Sequence, residues 1–429
     1  MNQYFIIKGG QPLSGDIDVY GSKNAATPII AATLLTKESS IIDNIPLIED
    51  VFTMIKILES LGAKITWIDK RKIKIDPSHI NVDKIDQKLV KKLRSSVLLI
   101  SPLCHHSRSF QLSQPGGCLI GARPIDDHID ALGEFGLRVK RSFESYEFYY
   151  EKLTPKNVVL NQFSVTATEN LLMLASCLSG KTTIKIAAKE PHVLDLVSFL
   201  IKMGAKIKSL PDHIFEIEGV KNLHGVKYHK IIPDPIEAAT FLIIGIVCRG
   251  KITVNNVRID HLDLVLQKLK AFGAKFEIIP QNTKEHLFKI KTYPALQLEA
   301  VAKIQALPYP GIPTDIQSMF GVLATQANGT TMIQDPLYEG RLKYIDELIR
   351  MGANAIIADP HRALIMGPTP LYGQEINSFD LRTGACLIGA SLLAKGQTKI
   401  SNIYQVDRGY ERIEQRLQKI NANIRRVEE

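Results

Sequence analysis

Cys118 stands in Gln114-Pro115-Gly116-Gly117-Cys118-Leu119-Ile120-Gly121-Ala122-Arg123-Pro124, where a proline and two glycines predict a mobile loop that could carry a reactive side chain. Arg123, five residues on, would favour the thiolate and offer a fork for phosphate or carboxylate; read alone, it is equally a surface residue. Gly21-Ser22-Lys23-Asn24 opens an Ala-rich stretch whose free N–H groups and dipole suit an anion, with Ser22 as a plain cap the alternative. Basic residues beside acids recur at Glu339-Gly340-Arg341, Asp380-Leu381-Arg382 and Asp407-Arg408-Gly409-Tyr410-Glu411-Arg412, each on its own an ion pair or cap. With Lys23, Arg94 and Arg123 they supply six cations at equivalent places in a repeat, which would converge on a small, highly charged anion. Pro313-Thr314-Asp315 puts an acid at a helix start, where these residues alone favour an N-cap. His105-His106, His128 and His192 lack zinc-helix spacing, and no GxxxxGK[ST], GxGxxG or GxSxG motif sits in a strand-to-helix context.

The elements that must position these side chains repeat. A Gly-Ala-Lys turn follows an amphipathic stretch at Gly62, Gly204 and Gly273, and weaker copies occur at Gly136, Gly352 and Asn421, so six units of about 70 residues result. Each begins with an apolar helix, as in Asn24 to Leu35 or Ala238 to Val247. An alternating strand such as Lys251 to Val254 follows, then a second helix with one apolar stripe, such as the one carrying Val51, Met54, Ile55 and Leu58. Helices alternating with strands predict α/β layers, and six units predict three plus three with a junction near Lys227 to Pro233. The first twenty residues precede the first helix and could pair with either half.

Composition sets the outer bounds. The chain has 429 residues, 45% hydrophobic and 23% charged, which excludes disordered, collagen-like and coiled-coil classes and calls for more than one core. A net charge of +9 is scattered without runs, favouring solvated faces over a nucleic-acid stripe. No apolar run is long enough for a bilayer and no signal-peptide pattern opens the chain, so a cytoplasmic location is expected. Five cysteines without a CxxC pair predict free thiols, with Cys104, Cys177, Cys248 and Cys386 as core hydrophobes.

From residue 4 to residue 427 these motifs, in this order, resemble the enolpyruvyl transferases. The resemblance implies an α/β protein with the two-domain enolpyruvyl-transferase fold, an inside-out α/β barrel in which each domain holds three βαβαββ repeats around buried helices. One domain would be 21–231, carrying the Cys loop, and the other 1–20 plus 232–429, with the active site in the cleft and the Cys loop as a lid. The implied reaction moves enolpyruvyl from phosphoenolpyruvate to the 3′-hydroxyl of UDP-N-acetylglucosamine, releases phosphate and commits the sugar to peptidoglycan, with no metal or redox cofactor. Those two ligands are the implied partners, with neither nucleic acid nor membrane, and the protein is expected to be a monomer.

By motif position the resemblance assigns phosphoenolpyruvate to Lys23, Asn24, Arg123 and Arg408, with Arg341 and Arg382 nearby. Cys118 becomes the proton donor, the site of a covalent adduct with the donor and the thiol that fosfomycin alkylates. Asp315 becomes the base for the sugar hydroxyl. Arg94, the stretch Arg123, Pro124, Ile125, Asp126 and Asp127, the stretch Gln162, Phe163, Ser164 and Val165, and Leu337 would contact UDP-N-acetylglucosamine. Three positions depart from the family pattern: Gln162 replaces a usual Lys, Pro235 a usual Arg and His192 a usual Glu. A relative using another acceptor, such as shikimate 3-phosphate or a different nucleotide, and a weakly active nucleotide-sugar binder are the competing readings; Asn24 and Cys118 argue against the shikimate branch.

Overall fold

The structure, a computed structural model, describes residues 3–116 and 124–428. They form two compact modules, one of 21–116 and 124–232, the other of 3–20 and 233–428, and the chain passes between them at Tyr20–Gly21 and at Ile232–Pro233. Each module has its own apolar core.

One repeat shows the plan. Strand Asn157–Val159 leads into helix Val165–Ser176, which is buried on every side from Ala167 onward, as an apolar helix without a polar stripe must be. Strand Gly180–Lys185 returns parallel to the first, amphipathic helix Pro191–Lys202 covers the outside, and hairpin Lys206–Leu210 with Ile214–Gly219 completes a four-stranded sheet. The turn after the second helix is the sequence marker. Gly62, Gly136, Gly204, Gly273 and Gly352 have φ between 78° and 105°, and Asn421 has φ 66°. The residue after each marker donates its N–H to a leucine carbonyl five positions back: Leu58, Leu132, Leu200, Leu269, Leu348 and Leu417. Such a bond closes a helix on a left-handed residue and aims the chain into the next strand.

Chain ends supply the strands that the linear repeats lack. Strand Gln3–Lys8 inserts between Gln397–Ser401 and Asn423–Glu428, antiparallel to both, in the place that Arg362–Gly367 fills in the preceding repeat. Ser14–Asp18 pairs in parallel with Lys251–Val257, so the first twenty residues join the second half. His229–Lys230 likewise opens the first repeat beside Ser40–Asp43.

The second repeat departs from the expected pattern. Its buried segment is a 3-10 turn, Arg94–Leu99, followed by the short helix Ile100–His106, and its sheet has three strands among the described residues. Pro102 explains the break, because it has no N–H to continue an α-helical ladder back through Leu98. No helix among the described residues is long and apolar enough to cross a membrane.

Candidate functional site

In the second module the buried helices Pro235–Val247, Thr314–Thr325 and Leu381–Leu393 pack against one another. Asp234 caps the first by accepting from the N–H of Ile236 at 2.8 Å and of Glu237 at 3.4 Å, and Pro235 at N1 loses nothing by lacking an N–H. Asp380 caps the third, accepting from the N–H of Arg382 at 2.8 Å and of Thr383 at 3.1 Å.

The middle helix breaks this pattern and corrects the N-cap reading of Asp315. Pro313 holds the cap position and gives no side-chain bond, while Asp315 sits one residue inside the helix. Its carboxylate bridges two buried guanidiniums, with Arg341 Nη2 at 2.6 Å and Arg382 Nη2 at 3.0 Å, and is itself 23% exposed. Burial pulls the Arg341 pKa down, but the carboxylates of Asp315, Asp380 and Asp335 outweigh it and the net shift is upward. For Arg382, burial is likewise overcome by Asp315, Tyr410 and Asp234. Both groups stay cationic. Arg341 lies over the Tyr338 ring at 5.5 Å and Arg382 over Tyr410 at 5.4 Å. Arg382 Nη1 is buried with no hydrogen-bond partner among the described residues, a donor that a ligand oxygen would satisfy.

The ion pairs here reach beyond sequence neighbours. Asp407 is held by Arg426 at 2.6 Å, and Arg408 is buried and bonds Gln405 Oε1 at 3.1 Å. Asp380 caps its own helix and reaches Arg341 of the preceding repeat at 3.5 Å.

In the first module Lys23 is the first residue of helix Lys23–Ala32 and pairs with buried Asp50 at 2.9 Å. Ser22 holds the cap position without a side-chain bond, so the capping alternative for it fails. Gly21 is required by packing, since a Cβ there would lie 1.8 Å from the Asn44 carbonyl oxygen. Pro28 lies inside this helix and has no N–H for the carbonyl of Asn24. Arg94 Nη2 donates to the Pro124 carbonyl at 3.1 Å and so meets the next predicted stretch. Ile125 is buried, Asp126 pairs with Arg141 at 2.6 Å, and Asp127 accepts from Gln162 Nε2 at 2.5 Å. Phe163 packs against His213 with ring centroids 4.7 Å apart, and the Ser164 carbonyl accepts from Thr168 just inside the helix that Val165 begins.

The structure thus pairs Arg94 with Pro124 and Gln162 with Asp127, and brings Asp315, Arg341 and Arg382 into one cluster. Leu337 is 42% exposed at a turn of the second module. Cys118 and Arg123 lie outside the described residues. Of the other thiols, Cys104, Cys248 and Cys386 are buried and Cys177 is half-buried. Burial pushes Cys104, Cys177 and Cys248 each up to about 12. Sequence reasoning missed Asp335, fully buried at the end of strand Gly329–Gln334, and Glu169, buried in the helix behind Gln162–Val165. The one signal for Asp335 was an acid ending an apolar strand just before a proline.

The fold is that of an enolpyruvyl-transferase-type α/β protein. The family model for EPSP synthase (3-phosphoshikimate 1-carboxyvinyltransferase) matches residues 7–417, and the chain belongs to this family of enolpyruvyl transferases. It is 43% identical over 423 residues to a UDP-N-acetylglucosamine 1-carboxyvinyltransferase of Halothermothrix orenii, covering 99% of each chain. It is 40% identical over 428 residues to a protein of the same description from Treponema denticola, again covering 99% of each. Among solved structures, the enolpyruvyl transferase NikO from Streptomyces tendae superposes with a TM-score of 0.89 at 24% identity over 99% of both chains. An EPSP synthase from Acinetobacter baumannii superposes with a TM-score of 0.76 at 16% identity over the full length of both. These likenesses show the fold alone.

Proposed function

We propose that this chain transfers enolpyruvyl from phosphoenolpyruvate to the 3′-hydroxyl of UDP-N-acetylglucosamine, releasing phosphate and committing the sugar to peptidoglycan. The observation that carries this reading is end-to-end identity near 40% with proteins of that description, in a chain that keeps Asp315 and its two buried arginines. The reaction belongs in the cytoplasm, where its ligands would be made, and serves cell shape and division through the wall.

The chemistry divides among named groups. The hydroxyl oxygen attacks C2 of the donor, Asp315 takes the hydroxyl proton, and Cys118 gives a proton to C3, leaving a tetrahedral intermediate. Loss of a C3 proton and cleavage of the C2–O bond then expel phosphate. Lys23, Asn24, Arg123, Arg341, Arg382 and Arg408 are assigned to the donor's charges, with Arg94, Pro124, Ile125, Asp126, Asp127, Gln162, Phe163, Ser164, Val165 and Leu337 assigned to the nucleotide sugar. Before the donor arrives, Asp315 supplies the anion that Arg341 and Arg382 face. A donor carboxylate or phosphate competes for those guanidiniums and frees Asp315 to act as a base.

The test mixes purified protein with phosphoenolpyruvate and UDP-N-acetylglucosamine and follows phosphate and product mass for wild type and Cys118→Ala. Turnover in wild type with loss in the variant supports the reading, as does inactivation by fosfomycin that the variant escapes. Phosphate release only with shikimate 3-phosphate would assign a different acceptor.

A further inference from the structure

Asp335, which motif comparison left aside, is linked to Asp315 through Thr314 and Arg341. It is fully buried. Its backbone is fixed by His361, whose carbonyl accepts from the Asp335 N–H at 2.9 Å and whose Nδ1 donates to the Asp335 carbonyl at 2.7 Å. Oδ1 accepts from the Leu337 N–H at 3.0 Å. Oδ2 accepts from the Thr314 hydroxyl at 2.5 Å and from Gln317 Nε2 at 3.3 Å. Arg341 Nε in turn donates to Thr314 Oγ1 at 3.1 Å, while Nη2 of the same guanidinium meets Asp315 at 2.6 Å.

The direction of these bonds matters. A hydroxyl has one proton, and the Asp335 carboxylate, which can only accept, claims it. The oxygen of Thr314 is thereby turned lone pair first toward Arg341 Nε. A guanidinium is a rigid planar fork, so fixing its Nε edge fixes where its Nη edge points. We propose that Asp335 and Thr314 are positioning residues: the Asp335 carboxylate orients the Thr314 hydroxyl, which sets the plane of Arg341 against Asp315, while the other carboxylate oxygen holds the Leu337 turn. One buried group thus ties a donor-binding arginine, the base and an acceptor contact into one rigid unit. The inference rests on the enolpyruvyl-transfer reading for the roles of Arg341 and Leu337, and on the hydrogen bonds alone for the relay.

Three variants of the full chain test it. Thr314→Val keeps the volume and removes the relay oxygen; Thr314→Ser keeps the oxygen. Asp335→Asn makes one of the two oxygens a donor, which must then face either the Leu337 N–H or the Thr314 and Gln317 donors. Thr314→Val and Asp335→Asn should each raise the donor KM about tenfold, the scale of a hydrogen bond to a charged group, and Thr314→Ser should stay within about twofold of wild type. Asp335→Asn should also raise the acceptor KM, and Thr314→Val should leave it unchanged. The double variant should be no worse for the donor than Asp335→Asn alone, because one relay cannot be broken twice.

A second readout needs no turnover. The Arg341 Nε–H resonance, assigned by its loss in Arg341→Lys, should exchange slowly with solvent in wild type and quickly in Thr314→Val. A wild-type donor KM with retained protection in Thr314→Val, or donor effects that multiply in the double variant, overturns the relay. If wild type releases no phosphate from the two substrates, the enzymatic reading fails and the exchange result alone decides the relay.

Discussion

The two modules share a repeat plan, yet the starts of their buried helices carry opposite chemistry. In the second module each has a carboxylate at the cap or in the first turn: Asp234, Asp315 and Asp380. In the first module the corresponding segments begin at Lys23, Arg94 and Val165, with no acid in the first turn. A helix start is electropositive, and the second module satisfies it with its own carboxylates, whereas the first has no acid in those first turns. The guanidiniums of Arg341 and Arg382 are preorganised by Asp315 rather than left to repel each other. One repeat plan therefore carries helix starts without acids in one module and an arginine pair bridged by a carboxylate in the other.

Asp315→Asn is the sharpest way to break the contrast, since it removes the carboxylate that holds the second module's arginine pair. Turnover should fall by about 10²–10⁴-fold, the usual contribution of a general base. Affinity for inorganic phosphate, read by calorimetry, should rise because no internal carboxylate competes. A variant that loses both turnover and phosphate affinity would mean that Asp315 holds the arginines up rather than standing in for a ligand.

Thiol labelling comes next in size. The thiolate is the reactive form, and a thiol whose pKa is pushed to about 12 is ionised about 1,000-fold less at neutral pH than one near the ordinary 8.5–9. At pH 7.5, iodoacetamide should add one group per folded chain, at Cys118, and none to Cys118→Ala. Rapid addition at Cys104 or Cys177 would show that the first module's core opens.

Much of the plan was legible in the residues because it is local. The marker glycines and the leucines five positions before their successors lie within one turn of each other, so the repeat count could be read directly. What escaped is non-local. Nothing near Gln3–Lys8 tells that strand to pair with residues 397–401 and 423–428, and no neighbour of Asp407 reveals that Arg426 claims it. Asp315 reads as a cap because its rival partners, Arg341 and Arg382, come from other repeats. Asp335 and Glu169 were invisible for the same reason: a buried carboxyl is meaningful only once its surroundings are known. Cys118 and Arg123 remain assigned through the family pattern alone.

A pH series sharpens the contrast from the stability side. Burial, with Glu190 adding to it, raises the Glu169 pKa well above 4.5 in the first module. Above pH 4.5 the unfolded chain releases this proton while the folded one keeps it, so stability contributed at low pH is lost as pH rises. Glu169→Gln should raise the melting temperature at pH 8 by about 2–4 °C, the response to ~1 kcal/mol in a domain of this size, and leave it unchanged at pH 4. His128 works on the other limb. Burial, helped by Arg94, lowers it from 6.5 to about 3, so below pH 6.5 the unfolded chain takes up a proton that the folded chain refuses, and stability falls toward acid.

The smallest effect belongs to Gln162, where the family usually carries Lys. Its amide is exposed and donates to Asp127 at 2.5 Å, a pairing that a lysine could also make while adding charge to the acceptor segment. An exposed charge pair is worth about 0–1 kcal/mol, so Gln162→Lys should lower the acceptor KM by roughly two- to threefold and leave kcat and the donor KM alone. Because the gain is electrostatic and solvent-exposed, it should fade as salt rises from 50 mM toward 500 mM in initial-rate measurements. A change in kcat would move Gln162 from affinity to catalysis. A gain that survives high salt would place the new ammonium in a desolvated contact.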